Sequence, residues 1–516
     1  MQHTDVLIIG AGISGISSAF HLMKHCPDKS FALIEGRGDI GGTWDLFRYP
    51  GIRSDSDMYT LGFSFRPWRN AKAIADAPSI MEYLRGAVDD GGFADKIHFN
   101  KKMVRAAWNG GDAKWVLTLR DSQTGEEEQR SCSFLHMCAG YYNYDQGYRP
   151  QFDNEQAFEG QIVHPQFWPE KLDYESKKVV IIGSGATAVT LVPAMARKAA
   201  HVTMLQRSPT YIVARPAEDA IANFFRKWLP RKWAYGLTRW KNILLGRWFF
   251  WYCRTKPEQA KQRILDEVRK QVPEGFDVEK HLTPNYNPWD QRLCLAPDAD
   301  FFTSLHKGKS SIVTDHIERF TKNGIELKSG EKLEADIIVT ATGLDLNFFG
   351  NADIMVNNRS VKTGDLLNYK GMMFSGIPNM LSSFGYTNAS WTLRCDLTSA
   401  YLCRLLKYMD RKNYAQVTPT ADADTIELDP LLDFSSGYIT RKYDELPKQG
   451  KQDPWRMYQN YIKDIFLVKY GSVADDGLVF HRRDNDGGSA DRAGPTDAAN
   501  RSADSSANSV EAPKAA

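Results

Sequence analysis

Apolar positions along this chain fall into short unbroken runs separated by helical repeats. Val6-Leu7-Ile8-Ile9 is one such run, and it stops at Gly10. A run that short and without alternation predicts a strand buried on both faces of a parallel sheet. A helical pattern follows from Ser14 to about Lys24, and Phe31-Ala32-Leu33-Ile34 reads as a second buried strand. The same strand–helix–strand pattern returns about 170 residues later, in Val179-Val180-Ile181-Ile182, a helix from Ala186 to Arg197, and Val202-Thr203-Met204-Leu205. Asp336-Ile337-Ile338-Val339-Thr340 is a further buried strand that runs towards Gly343.

Residues 211–285 break this rhythm. Between Phe224 and Tyr252 lie eleven aromatics, five of them Trp. From Arg226 to Lys256 there are nine Lys or Arg and no acid. Two readings fit: a helical insertion packed on the body with its cations solvated, or a lid for a membrane surface or an apolar substrate. Packing is the expectation, because aromatics are more often buried than docked to lipid. From Asp484 onward the chain is Gly, Ser, Ala, Asp and Asn with almost no large apolar residue. It buries too little surface to offset its own entropy, so 484–516 is expected to be a disordered tail.

Length and charge narrow the class. The 516 residues amount to about three or four domains. Sixty-five Lys plus Arg against 63 Asp plus Glu give +2, too balanced for a general nucleic-acid binder. Seven scattered Cys contain no C-x-x-C pair, which argues against zinc ribbons, dithiol redox motifs and disulfide scaffolds, and no metal site is expected. Such an unpatterned count points to a reducing compartment, and hence the cytoplasm. No basic start with a cleavage site opens the chain, and no stretch reaches the 18 apolar residues of a membrane span.

Both strand–helix junctions carry chemistry. Gly10-Ala11-Gly12-Ile13-Ser14-Gly15 is a G-x-G-x-x-G at the mouth of a helix. Its glycines permit a tight turn, close approach to a pyrophosphate, and helix–strand packing. Glu35 ends the next strand twenty residues after Gly15, where a carboxylate accepts hydrogen bonds from ribose hydroxyls. The second loop is Gly183-Ser184-Gly185-Ala186-Thr187-Ala188, and its following strand ends at Gln206-Arg207-Ser208 with no acid. Arg207 would pair with a 2′-phosphate that a carboxylate would repel. The economical assignment is FAD at the first loop and NADPH at the second, with hydride passing between them.

Further residues carry a resemblance. Gly41-Gly42-Thr43-Trp44, Tyr49-Pro50-Gly51 and Asp55 follow the long fingerprint of the Baeyer–Villiger monooxygenases. Phe158, Gly160, His164, Trp168 and Pro169 fit their second fingerprint, in which the related heteroatom-oxidising flavin-containing monooxygenases usually carry another aromatic in place of Trp168. Residues 48–59, 286–292 and 385–391 are similar to the mycobacterial, thioamide-oxidising branch, and the resemblance spans about residues 1–480.

The resemblance implies an α/β fold with two Rossmann-like dinucleotide-binding domains. The FAD domain would cover 1–148 and 335–483, with Cys138-Ala139-Gly140 and the strand from Asp336 to Gly343 as its crossing points. The NADP domain would cover 149–334 and hold the aromatic insertion.

It also implies a reaction in which NADPH reduces FAD, and oxygen adds to the flavin as a C4a-peroxyflavin that attacks a ketone to give an ester or lactone. Arg292 would hold the negative charge beside the flavin, and Asp55 would fix Arg292 through a bidentate pair. Tyr59, Thr342, Gly343 and Asn388 are expected at the cofactors. His164 would tie the hinge between domains rather than act as a base. Gln291 stands where many members carry a Lys, so Arg207 would carry more of the selectivity for NADPH, and discrimination against NADH would be weaker. The competing reading is a heteroatom oxygenase for sulfides, thioamides or amines that uses the same cofactors. A peripheral membrane contact through 224–256 belongs to either.

Overall fold

The computed structural model describes residues 1–421, 426–432 and 436–482, so the tail expected from 484 lies outside the described residues. A mixed sheet with a parallel centre and a wholly parallel sheet organise the chain. In the first, Gln2–Ile9 is central, parallel to Phe31–Ile34 on one side and to Glu127–Met137 on the other. Val6, Leu7 and Ile8 are fully buried, as an unbroken apolar run requires. Beyond Glu127–Met137 the sheet turns antiparallel through Lys114–Asp121 and Lys101–Asn109. There burial alternates, with Trp115, Leu117 and Leu119 inward. Late segments return to this sheet: Asp353–Val356 joins Lys101–Asn109, and Met380–Ser382 joins Glu127–Met137. The helix Trp391–Lys412 packs on Ile13–His25, where Ser17 Oγ donates to Asp396 Oδ1 at 2.8 Å.

The second sheet has five parallel strands in the order Ser310–Thr314, His201–Gln206, Lys178–Ile182, Ile337–Thr340, Gln161–Val163. This corrects one expectation. The strand from Asp336 does not rejoin the first sheet. It is buried at all four positions and paired along both edges, as only an interior strand of a parallel sheet can be. The crossing between the sheets, expected before this strand, comes after it. The crossing back comes through Leu344–Leu346, antiparallel to the outgoing segment Tyr142–Gly147.

The insertion forms the helices Ala220–Trp228, Arg231–Thr255 and Pro257–Arg269. The long helix buries Ala234, Tyr235, Thr238, Arg239, Ile243 and Cys253. Arg239 sets its roll: Nη1 donates to the carbonyls of Tyr59 and Gly62, each at 2.7 Å, and Nη2 lies 3.8 Å from Asp396. The expectation that the tryptophans pack inward is overturned. Trp233, Trp240, Trp248 and Trp251 are 44–68% exposed, because anchoring Tyr235 and Arg239 turns the opposite side of the helix outward, and Trp228 at the end of the preceding helix is 67% exposed.

Candidate active site

A cavity of about 1930 Å³ lies at the carboxyl ends of the parallel strands in both sheets, where Ile9, Ile34, Ile182 and Leu205 reach it. That is roughly twice the upper end of a pocket for one small molecule. Its first arm is lined by Gly10, Gly12, Ser14, Glu35, Gly42, Thr43 and Trp44. Glu35 Oε2 accepts from the Ala11 N–H at 2.7 Å, and Oε1 accepts from the Arg37 N–H at 3.0 Å. Burial pushes the Glu35 carboxyl above the usual carboxylate range, while those two N–H groups pull the other way. Ser14 Oγ accepts from the Trp391 indole at 2.9 Å, which fixes the first turn of the helix against the late segment.

The second arm is lined by Gly183, Ser184, Gly185, Thr187, Arg207 and Ser208. Ser184 Oγ donates to the Ser208 carbonyl at 3.0 Å, tying the loop to the end of the next strand. A Cβ placed on Gly185 would meet nothing within 4 Å, and its backbone (φ −76°) suits any residue. The protein's own packing does not demand glycine there. What remains is open space over a helix N-terminus whose N–H groups face an anion.

Between the arms sits the ion pair singled out in the sequence. Arg292 Nη1 donates to Asp55 Oδ2 at 2.9 Å, and both residues line the cavity. The Tyr49-Pro50-Gly51 run explains how Asp55 arrives there. Leu46, Phe47 and Tyr49 belong to the hydrophobic core of the second unit, although the chain has not yet reached that unit. Gly51 has φ +78°, and a Cβ there would come 2.7 Å from Ala194 Cβ. The run thus docks the first unit on the helix Ala186–Met195 and delivers Asp55 to Arg292. Burial pushes the nearby Cys294 thiol up to about 12, so it stays protonated.

Thr342, Gly343, Asn388 and Gln291 also line the cavity. Thr342 Oγ1 donates to the Tyr148 carbonyl at 2.8 Å, and Asn388 Nδ2 donates to the Gln459 carbonyl at 2.9 Å.

Three expected cofactor residues are elsewhere. Tyr59 is 1% exposed in the first core, its ring against Tyr235, because it faces the inner side of the aromatic helix. Gly15 and Ala188 lie behind their loops; a Cβ on Gly15 would be driven into the Gly10 carbonyl oxygen. Phe158, Gly160, His164, Trp168 and Pro169 are absent from the lining. His164 packs against Gly147, where the outgoing segment ends, and burial lowers its pKa below the ordinary imidazole value.

Some lining residues escaped the sequence reading. Arg53 pairs with Asp300, and Tyr144 OH lies 3.3 Å from Thr43 Oγ1. Phe249 and Phe250 also line the wall. A signal for the last two existed: five consecutive aromatics from Trp248 to Tyr252 cannot share one helical face.

Comparison with known proteins agrees with this architecture. Residues 8–77 match the NAD(P)-binding Rossmann-like domain, and residues 73–234 match the flavin-binding monooxygenase-like family. The FAD-containing monooxygenase EthA of Mycobacterium tuberculosis is 51% identical over 483 residues, covering 93% of this chain and 98% of that protein. A probable FAD-binding monooxygenase, AlmA, of an Acinetobacter species is 47% identical over 484 residues, covering 93% and 97%. Among solved structures, an NADP-bound steroid monooxygenase superposes with a TM-score of 0.75 at 20% identity, covering 93% of this chain and 99% of that one. A cyclohexanone monooxygenase bound to ε-caprolactone superposes with 0.74 at 18% identity, covering 93% and 100%. With half its residues identical across nearly the whole of both chains, this chain belongs to the family of FAD-containing monooxygenases.

Proposed function

We propose that the protein is an NADPH-consuming Baeyer–Villiger monooxygenase, which converts a ketone, O₂ and NADPH with a proton into an ester or lactone, NADP⁺ and water. The observation that carries this is the Arg292–Asp55 pair. Arg292 is 35% and Asp55 44% exposed, both towards the cavity. An ion pair that open contributes about 0–1 kcal/mol to folding, so stability gives little reason for it. A fixed cation where the two arms meet does have a chemical use.

The residues present fit a dinucleotide in each arm. Glu35 keeps acceptor capacity beside its two N–H partners, which suits ribose hydroxyls. The open backbone at Gly185 and the exposed Arg207 suit a pyrophosphate and a 2′-phosphate. Bound FAD and NADPH supply hydride transfer and the activation of dioxygen.

The chain's own residues then do four things. Asp55 holds Arg292 in place. The Arg292 guanidinium, charged at any working pH, offers fixed donors to negative charge on the reacting oxygen and disfavours its protonation. Arg207 and Ser208 select the phosphorylated nicotinamide cofactor. Phe249 and Phe250 present an apolar wall that keeps water from the reacting atoms. His164, with Phe158, Gly160, Trp168 and Pro169, holds the crossing between units and takes no proton.

A product assay tests this. Purified protein with FAD, NADPH and oxygen meets a phenyl ketone and a thioether, with products read by mass spectrometry. Ester is expected, and Arg292→Ala should lower its rate about 10²–10³-fold while NADPH still bleaches the flavin. Sulfoxide alone, with activity kept in the Ala variant, would instead make the protein a heteroatom oxygenase.

A further inference from the structure

The long helix Arg231–Thr255 presents a stripe that nothing in the described chain covers. Trp233, Leu237, Trp240, Leu244, Trp248 and Trp251 are spaced by four, three, four, four and three residues. At about 100° per residue they share an arc of about 80°. Each is 44–68% exposed, on the side opposite the buried Tyr235, Thr238 and Cys253. The preceding helix Ala220–Trp228 adds Ile221, Phe224 and Trp228, again three and four residues apart and 51–67% exposed. Contiguous apolar surface of this kind marks a place of contact.

The surrounding charge identifies the contact. Nine Lys or Arg and no acid lie between Arg226 and Lys256. Arg239 points inward, Lys241 pairs with Asp219 at 2.5 Å, and Arg254 pairs with Asp290 at 2.9 Å. Among the described residues, Lys227, Arg231, Lys232, Arg247 and Lys256 make no ion pair. A second copy of the same face would set these cations against one another. An anionic bilayer surface answers both features, with acyl chains for Leu and Trp and headgroup charge for the cations. Tryptophan suits that boundary because its ring is apolar while its N–H stays hydrated. The helix would lie on the bilayer, since no described helix is long and apolar enough to cross one.

We propose that the protein docks on anionic membrane surfaces through this stripe. The cavity reaches the same helix: Ile243, Phe249 and Phe250 line it, and so do Trp251 of the stripe and Ile221 of the preceding helix. An apolar substrate dissolved in the bilayer therefore reaches the cavity along one helix without crossing bulk water. That second step rests on the monooxygenase reading; the docking does not.

The test is flotation of the full-length protein with phosphatidylcholine vesicles, with and without phosphatidylglycerol. Binding is expected to the anionic vesicles and to be lost in high salt. The variant Trp233→Ser/Trp240→Ser/Trp248→Ser should bind at least about tenfold more weakly, from the apolar area removed. Arg231→Glu/Lys232→Glu should bind about a hundredfold more weakly, from the charge reversed. All five positions are exposed and lie off the cavity lining, so the flavin spectrum and melting midpoint should not change. Wild-type protein left unbound by both vesicle types, or a Trp variant that binds as wild type does, overturns the proposal. A dimer abolished by the Trp substitutions, without vesicle binding, would show that a second copy covers the stripe. Vesicle binding is read without turnover, so its failure leaves the product assay standing, and the reverse.

Discussion

The two glycine loops share a motif and a local fold but differ in how the rest of the molecule treats them. The first is enclosed. Glu35 is 6% exposed and hydrogen-bonded on both oxygens, and the helix behind it is fastened to Trp391–Lys412 through Ser14 and Ser17. The second is open. Gly185 faces empty space, and Arg207 and Ser208 are exposed. With FAD at the first loop and NADPH at the second, as proposed, the enclosed loop should hold its ligand longer than the open one. That division is what a resident redox group and a consumed reductant require. A motif therefore specifies the chemistry of a cradle, while its neighbours decide how enclosed it is.

Four experiments would break or sharpen this contrast. The largest effect is expected from Gly15→Ala. Its Cβ collides with backbone, so the helix must move, at a cost of about 3 kcal/mol. Loss of bound FAD and a lower denaturation midpoint are the readouts, and a variant that melts as wild type does would contradict the packing described for Gly15.

Acid is next. Burial pushes the Asp396 carboxyl up, but His21 and then Arg239, together with the Ser64 N–H, outweigh burial and bring it down to about 2. A folded-state pKa below the ordinary value gives stability that is present above the ordinary carboxylate pKa and lost as pH falls towards 2. The amount is about 2.5 kcal/mol. In the second unit, Glu279, Asp315 and Glu334 are also held low, but at the surface, where water screens the gain. Between pH 4 and 2 the first unit should loosen first, with flavin release preceding full loss of circular dichroism. Asp396→Asn should remove that step; an unchanged acid profile in the Asn variant would refute the assignment.

Arg207→Gln should raise the KM for NADPH about thirtyfold, the loss of charge-assisted hydrogen bonds, and barely alter the KM for NADH. Equal effects on both cofactors would move the 2′-phosphate away from Arg207. The smallest effect is expected from Gly185→Ala: a folding stability changed by about 0.5 kcal/mol or less, with NADPH binding weakened about tenfold. A destabilised variant with normal NADPH affinity would reverse the contrast with Gly15.

Much of this was legible in the chain. The strands at 6–9, 31–34, 179–182 and 202–205, with the helices between them, follow from runs and periods that depend on near neighbours. Arg292 and Asp55 were legible through their fingerprints, although 237 residues separate them. Other features were not. Ile337–Thr340 reads as a buried strand, but an apolar run does not say which sheet it joins. Tyr59 and Tyr49 are both aromatic neighbours of Asp55, yet one is sealed in the first core and the other docks on the second unit.

The aromatic helix shows the division most plainly. The sequence by itself determined a helical insertion rich in Trp and in cations, because composition and charge are local. Only the tertiary structure decided that the Trp side faces out, because the roll was set by Arg239 reaching carbonyls near residue 60. A hydrophobic period records that one face avoids water. Which surface covers that face depends on what the folded chain leaves beside it.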